Sequence, residues 1–272
     1  MKRKITFDIG PHPDINLIHG DCLEEMKNIP DGSIDMILTD PPYGTTACKW
    51  DSVIPFEPMW IQLKRIIKPN GAIVLFGSQP FTSMLGTSQI NLLKYCWYWE
   101  KSRATGHLNA KKMPMKNVED ILVFYQKLPT YNIQNLFILN KEQKNSASHI
   151  ARGITSDPTS VVTGGITKKN YIQENTNYPR QILKFSSEGN TFHPTQKPVA
   201  LCEYLIKTYT NENETVLDFT MGSFTTAIAC LNTKRSFIGI EKDEHYFQVG
   251  KERLEKHLLT LDYTPEVIYN QV

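Results

Sequence analysis

Short apolar runs and helix-spaced apolar residues alternate along the first half of the chain. Ile15–His19 is a short apolar run broken by Gly20-Asp21, Cys22–Asn28 has room for a turn or two of helix, and Ile34–Thr39 is an apolar run that ends on a polar residue. Within Met59–Ile67, residues Trp60, Leu63, Ile66 and Ile67 fall at helical spacing, and Pro69-Asn70-Gly71 stops that helix. Strands are predicted over Ala72–Phe76, Tyr95–Glu100 and Ile121–Tyr125, with a helix over Phe81–Ile90. This alternation predicts an α/β fold with a parallel sheet and crossover helices.

From about Lys127 to Phe185 the pattern changes. Asn, Gln, Ser, Thr, Lys and Gly dominate, and apolar periodicity weakens. A polar stretch of roughly 60 residues inside a compact domain is uncommon without a function, which predicts a small irregular module rather than a linker. Regular patterning then returns. His193-Pro194-Thr195-Gln196-Lys197-Pro198 leads into an amphipathic helix over Leu201–Tyr209, with Pro198 at its first turn. Thr215–Asp218 reads as a strand, Met221-Gly222-Ser223 as a turn, Thr225–Leu231 as a helix and Phe237–Glu241 as a strand. The last helix, Glu244–Leu258, has Phe247, Gly250, Leu254 and Leu258 on about one face.

The 272 residues suit one large α/β domain carrying an insertion, and the 40% hydrophobic content is ordinary for a globular chain. A net charge of +2 means that any basic surface is local. The five cysteines (Cys22, Cys48, Cys96, Cys202, Cys230) are scattered without a CxxC pair. That spacing predicts a reducing compartment and no zinc site. No cysteine follows a proline, which argues against a thiol that attacks the cytosine ring carbon. Basic Met1–Lys4 is followed by no long apolar stretch, so neither a secretory signal nor a membrane span is expected.

Candidate chemistry begins at Asp40-Pro41-Pro42-Tyr43, directly after the apolar run Ile34–Thr39. The proline after Asp40 biases its backbone to extended. Pro41 and Pro42 fix their own φ and donate no hydrogen bond, leaving their carbonyls as acceptors. A carboxylate and a proline carbonyl can grip both protons of an exocyclic amine, and Tyr43 can stack on the ring that carries it. Asp-Pro-Pro also occurs in ordinary turns. A second candidate lies in Val216-Leu217-Asp218, Gly222-Ser223 and Ile238-Gly239-Ile240-Glu241. A small turn between strand and helix admits a ligand close to backbone, and an acid at the end of the next strand can take both ribose hydroxyls. The turn is too poor in glycine for a pyrophosphate, so the expected ligand is an adenosine carrying something else. His193 has no partner at metal-ligand spacing, and no metal is predicted.

Together these residues resemble the β class of amino-group DNA methyltransferases that use S-adenosylmethionine: the Asp-Pro-Pro-Tyr motif comes first, a variable recognition region next and the cofactor half last. Gly20-Asp21-Cys22-Leu23-Glu24, Lys111-Lys112-Met113-Pro114 with Val118–Phe124, His193–Pro198 and Phe237–Glu241 also resemble family motifs. The resemblance implies a seven-stranded, mostly parallel, Rossmann-like sheet, circularly permuted and closed by an antiparallel edge strand. It implies a catalytic half at 1–127, a target-recognition region at 128–188 and a cofactor half at 189–272. Asp40, Pro41, Pro42 and Tyr43 would be catalytic. Asp21 and Cys22 would lie by the cofactor's adenine and Glu241 by its ribose. Asp218, Gly222 and Ser223 would face its methionine part, and His193, Thr195 and Lys197 its far end, Lys197 near the carboxylate. Double-stranded DNA is the implied partner, a homodimer is allowed, and the implied setting is the cytoplasm of a bacterium or phage-infected host, as in restriction–modification.

Lys101, Arg103, His107, Lys111, Lys112 and Lys116 cluster in a stretch expected to be a loop, suited to phosphate contacts. Arg152, Lys168, Lys169 and Arg180 are candidate readers of base edges. One departure from the family pattern is Phe224, where its turn usually carries glycine. A bulky residue there would either fill the cofactor site or point away after a small backbone shift. Three readings stand: an adenine amino-group methyltransferase, towards which Asp40 in place of Ser leans by family habit; a cytosine amino-group enzyme; and a DNA-binding protein with a degenerate cofactor site.

Overall fold

The computed structural model describes residues 3–8, 13–45, 51–144, 170–188, 196–261 and 266–271. It divides into two compact units, Met1–Asn132 with Gln181–Val272, and Ile133–Arg180. The chain runs β1 (Arg3–Asp8), β2 (Ile15–His19), α1 (Cys22–Glu25), β3 (Ile34–Thr39), α2 (Phe56–Ile66), β4 (Ile67–Gly77), α3 (Phe81–Ser88), β5 (Leu93–Thr105) and β6 (Lys116–Phe124). After β7 (Phe137–Lys144) and β8 (Asn170–Thr176) come β9 (Ile182–Lys184), α4 (Val199–Tyr209), β10 (Thr215–Asp218), α5 (Thr225–Thr233), β11 (Ser236–Glu241), α6 (Glu244–Thr260) and β12 (Glu266–Gln271).

The first unit is a sheet between two helical layers. Its strand order is β12-β1-β2-β11-β10-β3-β4-β6-β5-β9. Alternation along the central strands feeds both faces. Met36, Leu38, Val74, Phe76, Ile121 and Val123 pack with Leu201, Leu205, Ala227, Phe247 and Leu254 of α4, α5 and α6. Their neighbours Ile37, Ile73, Leu75, Leu122 and Phe124 pack with Met59, Trp60, Leu63, Phe81 and Leu85 of α2 and α3. Strands buried on both faces read as continuous apolar runs, which is why they were conspicuous in the sequence. Asp243 caps α6 by accepting from His245 N at 2.9 Å and Tyr246 N at 3.1 Å, satisfying N–H groups that lack a helical partner.

Strands β2, β11, β10, β3 and β4 are parallel neighbours. The chain order reverses between β10 and β3. The helix after β10 covers one face and the helix after β3 covers the other. A crevice opens beyond the strand ends at such a switch point.

The α/β class and the mostly parallel centre agree with the expectation, and the structure corrects two details. The expected seven strands are the middle of a ten-stranded sheet. Its edges gain β9 on one side and the antiparallel β1 and β12 on the other. The antiparallel strand β6 lies inside, between β4 and β5, because β5 turns back outside it. Second, β5 runs on to Thr105, so Lys101 and Arg103 belong to a strand rather than a loop. The described part of the insertion holds an antiparallel ribbon of β7 and β8, with Phe137 opposite Thr176, Lys144 opposite Asn170 and a register shift between Ile138 and Lys141.

The chain leaves and re-enters the first unit at two held residues. Asn132 donates its backbone N–H to Thr208 O at 2.7 Å, and its side-chain amide to Lys207 O at 3.0 Å and Thr210 O at 2.9 Å. Gln181 O accepts from Tyr98 N at 2.8 Å, and Gln181 Nε2 donates to Cys96 O at 3.1 Å. Among the described residues no helix is long and apolar enough to cross a membrane.

Polar groups under α4 are also satisfied. Tyr209 Oη accepts from buried Trp97 Nε1 at 2.7 Å and shares a hydrogen bond with Tyr95 Oη at 2.8 Å. Tyr209→Phe strands the indole N–H, so urea unfolding is expected to register a loss of about 1–3 kcal/mol.

Candidate active site at the sheet switch point

Parallel pairing sets Met36 beside Val216 and Ile37 beside Leu217, so the loops after β3 and β10 leave the same edge side by side. Thr39, the last residue of β3, ties them. Its hydroxyl donates to Asp218 Oδ1 at 3.1 Å and accepts from Phe219 N at 3.1 Å. Thr220 Oγ1 returns the link by donating to Asp40 O at 3.1 Å. The loops border a cavity of about 600 Å³.

Four stretches of the sequence reading meet on this cavity. Asp40, Pro41, Pro42 and Tyr43 line one part. Asp218, Gly222, Ser223 and Glu241 line another, Asp21 and Cys22 a third, and Lys197 lies among the lining residues. Asp40 and Glu241 therefore open onto a shared space. His193 and Thr195 lie outside the described residues, as do Arg152, Lys168 and Lys169. Arg103, Lys111 and Lys112 are exposed on and beyond the end of β5, and none of them lines the cavity.

Asp40 sits in a tight polar cluster. Tyr43 Oη donates to its Oδ1 at 2.5 Å, and Lys197 Nζ donates to its Oδ2. Burial raises the Asp40 carboxyl above its usual value, and the Lys197 charge only partly offsets this while Glu119 adds to it. The Tyr43 ring stacks on Phe81 with centroids 5.0 Å apart. Asp51 fastens the segment that follows, accepting from Gly44 N at 2.8 Å and Thr45 N at 2.9 Å. The resemblance put Lys197 near a cofactor carboxylate. Its ammonium meets two carboxylates of the protein, Asp40 and, at 3.3 Å, Glu119.

The other end is built from backbone and acids. Gly222 has φ +50°, and a Cβ there would meet open space. The free room in front of this turn is what a ligand lying against backbone needs. Glu241 accepts from Gly222 N at 2.9 Å and Asp243 N at 2.8 Å, and burial raises its carboxyl. Asp21 caps α1 by accepting from Leu23 N at 3.0 Å and pairs with Lys242 at 3.1 Å. Burial raises its carboxyl, but these partners outweigh burial and hold it below its usual value. Burial pushes the Cys22 thiol up to about 12, so it is no nucleophile at neutral pH.

Phe224 points away from the cavity. It keeps the left-handed conformation, φ 63°, that glycine would adopt freely, at a cost of about 1–2 kcal/mol. Its ring is fully buried, meets Phe247 edge-on at 5.7 Å and lies against Gly250, where a Cβ would stand 2.3 Å from it. The bulk that departs from the family turn has gone into the α5–α6 interface.

Sequence reasoning missed several supports. Thr39, Thr220 and Thr226 hold Asp218 and the Asp40 loop, Asp51 braces the segment after Tyr43, and Lys101 and Glu119 stand behind Lys197. Glu119 left a signal, as one of two adjacent acids at the mouth of an apolar strand, and Lys101, read as a phosphate contact, has its ammonium on Glu119.

The family model described as DNA methylase (N6_N4_Mtase) matches residues 34–252. The chain belongs to this DNA methylase family. The methylase is 28% identical over 265 residues to the type II methyltransferase M.HpaI of Haemophilus parainfluenzae, covering 93% of this chain and 78% of that protein. It is 29% identical over 253 residues to the DNA adenine methyltransferase YhdJ of Escherichia coli K12, covering 88% and 82%. The crystal structure of the M1.HpyAVI–SAM complex matches it with a TM-score of 0.58 at 29% identity, over 88% of this chain and 99% of that one. Membership removes the ground for a mere DNA binder, since Phe224, the feature that favoured it, lies outside the methylase's cavity.

Asp218 gives the methylase a pH signature. Burial pushes its carboxyl up to about 7, although Thr226 Oγ1 at 2.7 Å, Thr220 N and Thr39 Oγ1 all donate to it. The unfolded carboxyl titrates near 3.8, so above that pH the folded chain keeps a proton that the unfolded chain has lost. The stability from this group is full below pH 3.8 and is lost as the pH rises through about 7. Urea midpoints at pH 5 and pH 8 are therefore expected to fall further apart in wild type than in Asp218→Asn.

Proposed function

We propose that this methylase moves a methyl group from S-adenosylmethionine to the exocyclic amino group of a flipped adenine in double-stranded DNA. The observation that carries this reading is the one cavity bordered both by the Asp40–Tyr43 loop and by the Gly222–Glu241 end. The residues present fit the cofactor: Gly222 leaves room for close approach, Glu241 offers a buried carboxylate, and Asp21 lies at the same wall. Glu241 would take the ribose hydroxyls, Asp21 and Cys22 the adenine side, and Asp218, Gly222 and Ser223 the methionine side, with His193 and Thr195 assigned to its far end. When bound, S-adenosylmethionine supplies an electrophilic methyl group on a sulfonium.

The adenine amine is a poor nucleophile because its lone pair is delocalised into the ring. Hydrogen bonds from that amine to Asp40 and the Pro41 carbonyl favour a more tetrahedral nitrogen and free the lone pair. Pro42 stiffens the loop, and Tyr43 contributes a ring face to the base. Holding the nitrogen in line is the main contribution, a matter of orientation and preorganised dipoles. The printed name of YhdJ supports adenine over cytosine, and Asp40 is the family habit of adenine enzymes. Arg103, Lys111 and Lys112 are exposed cations suited to phosphates. Residues 128–188, with Arg152, Lys168 and Lys169, are assigned to target recognition, residues 1–127 to the catalytic half and 189–272 to the cofactor half.

Two substitutions separate the ends of the cavity. Asp40→Ala is expected to abolish methyl transfer with S-adenosylmethionine affinity nearly unchanged by calorimetry. Glu241→Ala is expected to weaken that affinity by about tenfold or more, the loss of a charged hydrogen-bond acceptor. Turnover at the wild-type rate in Asp40→Ala rejects the assignment. Methylation of random-sequence DNA with labelled S-adenosylmethionine, followed by digestion to nucleosides, is expected to leave the label on N6-methyldeoxyadenosine. Label on N4-methyldeoxycytidine rejects adenine as the target.

A further inference from the structure

Four charged side chains form a chain that starts at the cavity wall and runs away from it. Lys101 on β5 pairs with Glu119 Oε1 on β6, Glu119 Oε2 meets Lys197 at 3.3 Å, and Lys197 pairs with Asp40. All four side chains are at most about a quarter exposed, with Glu119 at 14% and Lys197 at 7%. Lys197 Nζ also lies 5.1 Å from the centre of the Phe76 ring. Glu119 Oε2 is buried and, among the described residues, makes no hydrogen bond beyond this ion pair. A buried acceptor left with one long ion pair is costly unless the cation can move closer to it.

We infer that Glu119 is a positioning residue for methyl transfer, acting through Lys197 as the second seat of its ammonium. With no base in the cavity, Lys197 neutralises Asp40. When the target amine reaches Asp40, Lys197 shifts towards Glu119 Oε2, and the Asp40 oxygen becomes available to the amine without an uncompensated buried charge. Lys101 keeps Glu119 ionised and in place: burial raises the Glu119 carboxyl, and Lys197 and Lys101 together bring it below its usual value. This inference rests on the proposed role of Asp40.

Glu119→Gln keeps the shape and removes the charge that draws Lys197 back. Steady-state kinetics on DNA are expected to show kcat falling by about 10- to 100-fold, the scale of a misplaced catalytic group, with KM for DNA and calorimetric affinity for S-adenosylmethionine within about twofold. Glu119→Asp, which keeps the charge, is expected to recover part of the loss. In a Lys197→Met background the same Glu119→Gln change is expected to add less than about twofold, because the two act as one unit. Wild-type kcat in Glu119→Gln while Asp40→Ala is dead overturns this inference and leaves the proposed function standing; an active Asp40→Ala overturns the proposed function itself. A full additional loss in the Lys197→Met background, or a fall in melting temperature and cofactor affinity that parallels kcat, assigns Glu119 to scaffold stability and overturns the inference.

Discussion

The parallel pairing of β3 with β10 is the constraint on which the rest depends. It brings Asp40 and Asp218, 178 positions apart by number, to adjacent strand ends, and the Thr39 hydroxyl locks the two loops together by one bond given and one received. Because the chain reverses its order at this pair, the helices depart to opposite faces and the space beyond the strand ends stays open.

Burial gives the cavity its electrostatic character. Asp40, Asp218 and Glu241 all have carboxyls raised by desolvation, and each meets it differently: Asp40 by a lysine and a tyrosine, Asp218 by hydroxyls and an amide, Glu241 by two amides. Neutral donors suit acids that stay put, as at Asp218 and Glu241. A mobile ammonium suits an acid that must exchange partners, as proposed at Asp40.

Much of this was legible in the chain before folding. The apolar runs of β3, β4 and β6 announced themselves because both their faces are covered, and the turn residues around Asp40 and Gly222 marked where backbone had to bend. Edge strands were not legible: β1 is short and supplies only Ile5 and Phe7 to the core, β12 is held on by pairing with β1, and β9 has three residues. Nor were the braces. Thr39, Thr226 and Asp51 are ordinary polar residues in sequence, and their importance arises from partners far along the chain or across a loop. Phe224 departs from the family turn in sequence alone, and only the fold reveals Gly250 as the hollow that receives it.

The two ties that flank the insertion have an evolutionary corollary. Asn132 grips the end of α4, and Gln181 grips β5, so the chain leaves and re-enters the first unit at two fixed points. Whatever lies between those anchors can lengthen, shorten or be traded for another segment while β3, β10 and their loops keep their geometry. On the proposed assignment of residues 128–188 to target recognition, a lineage built this way can change which DNA it attends to by recombination at two short seams, leaving its chemistry untouched.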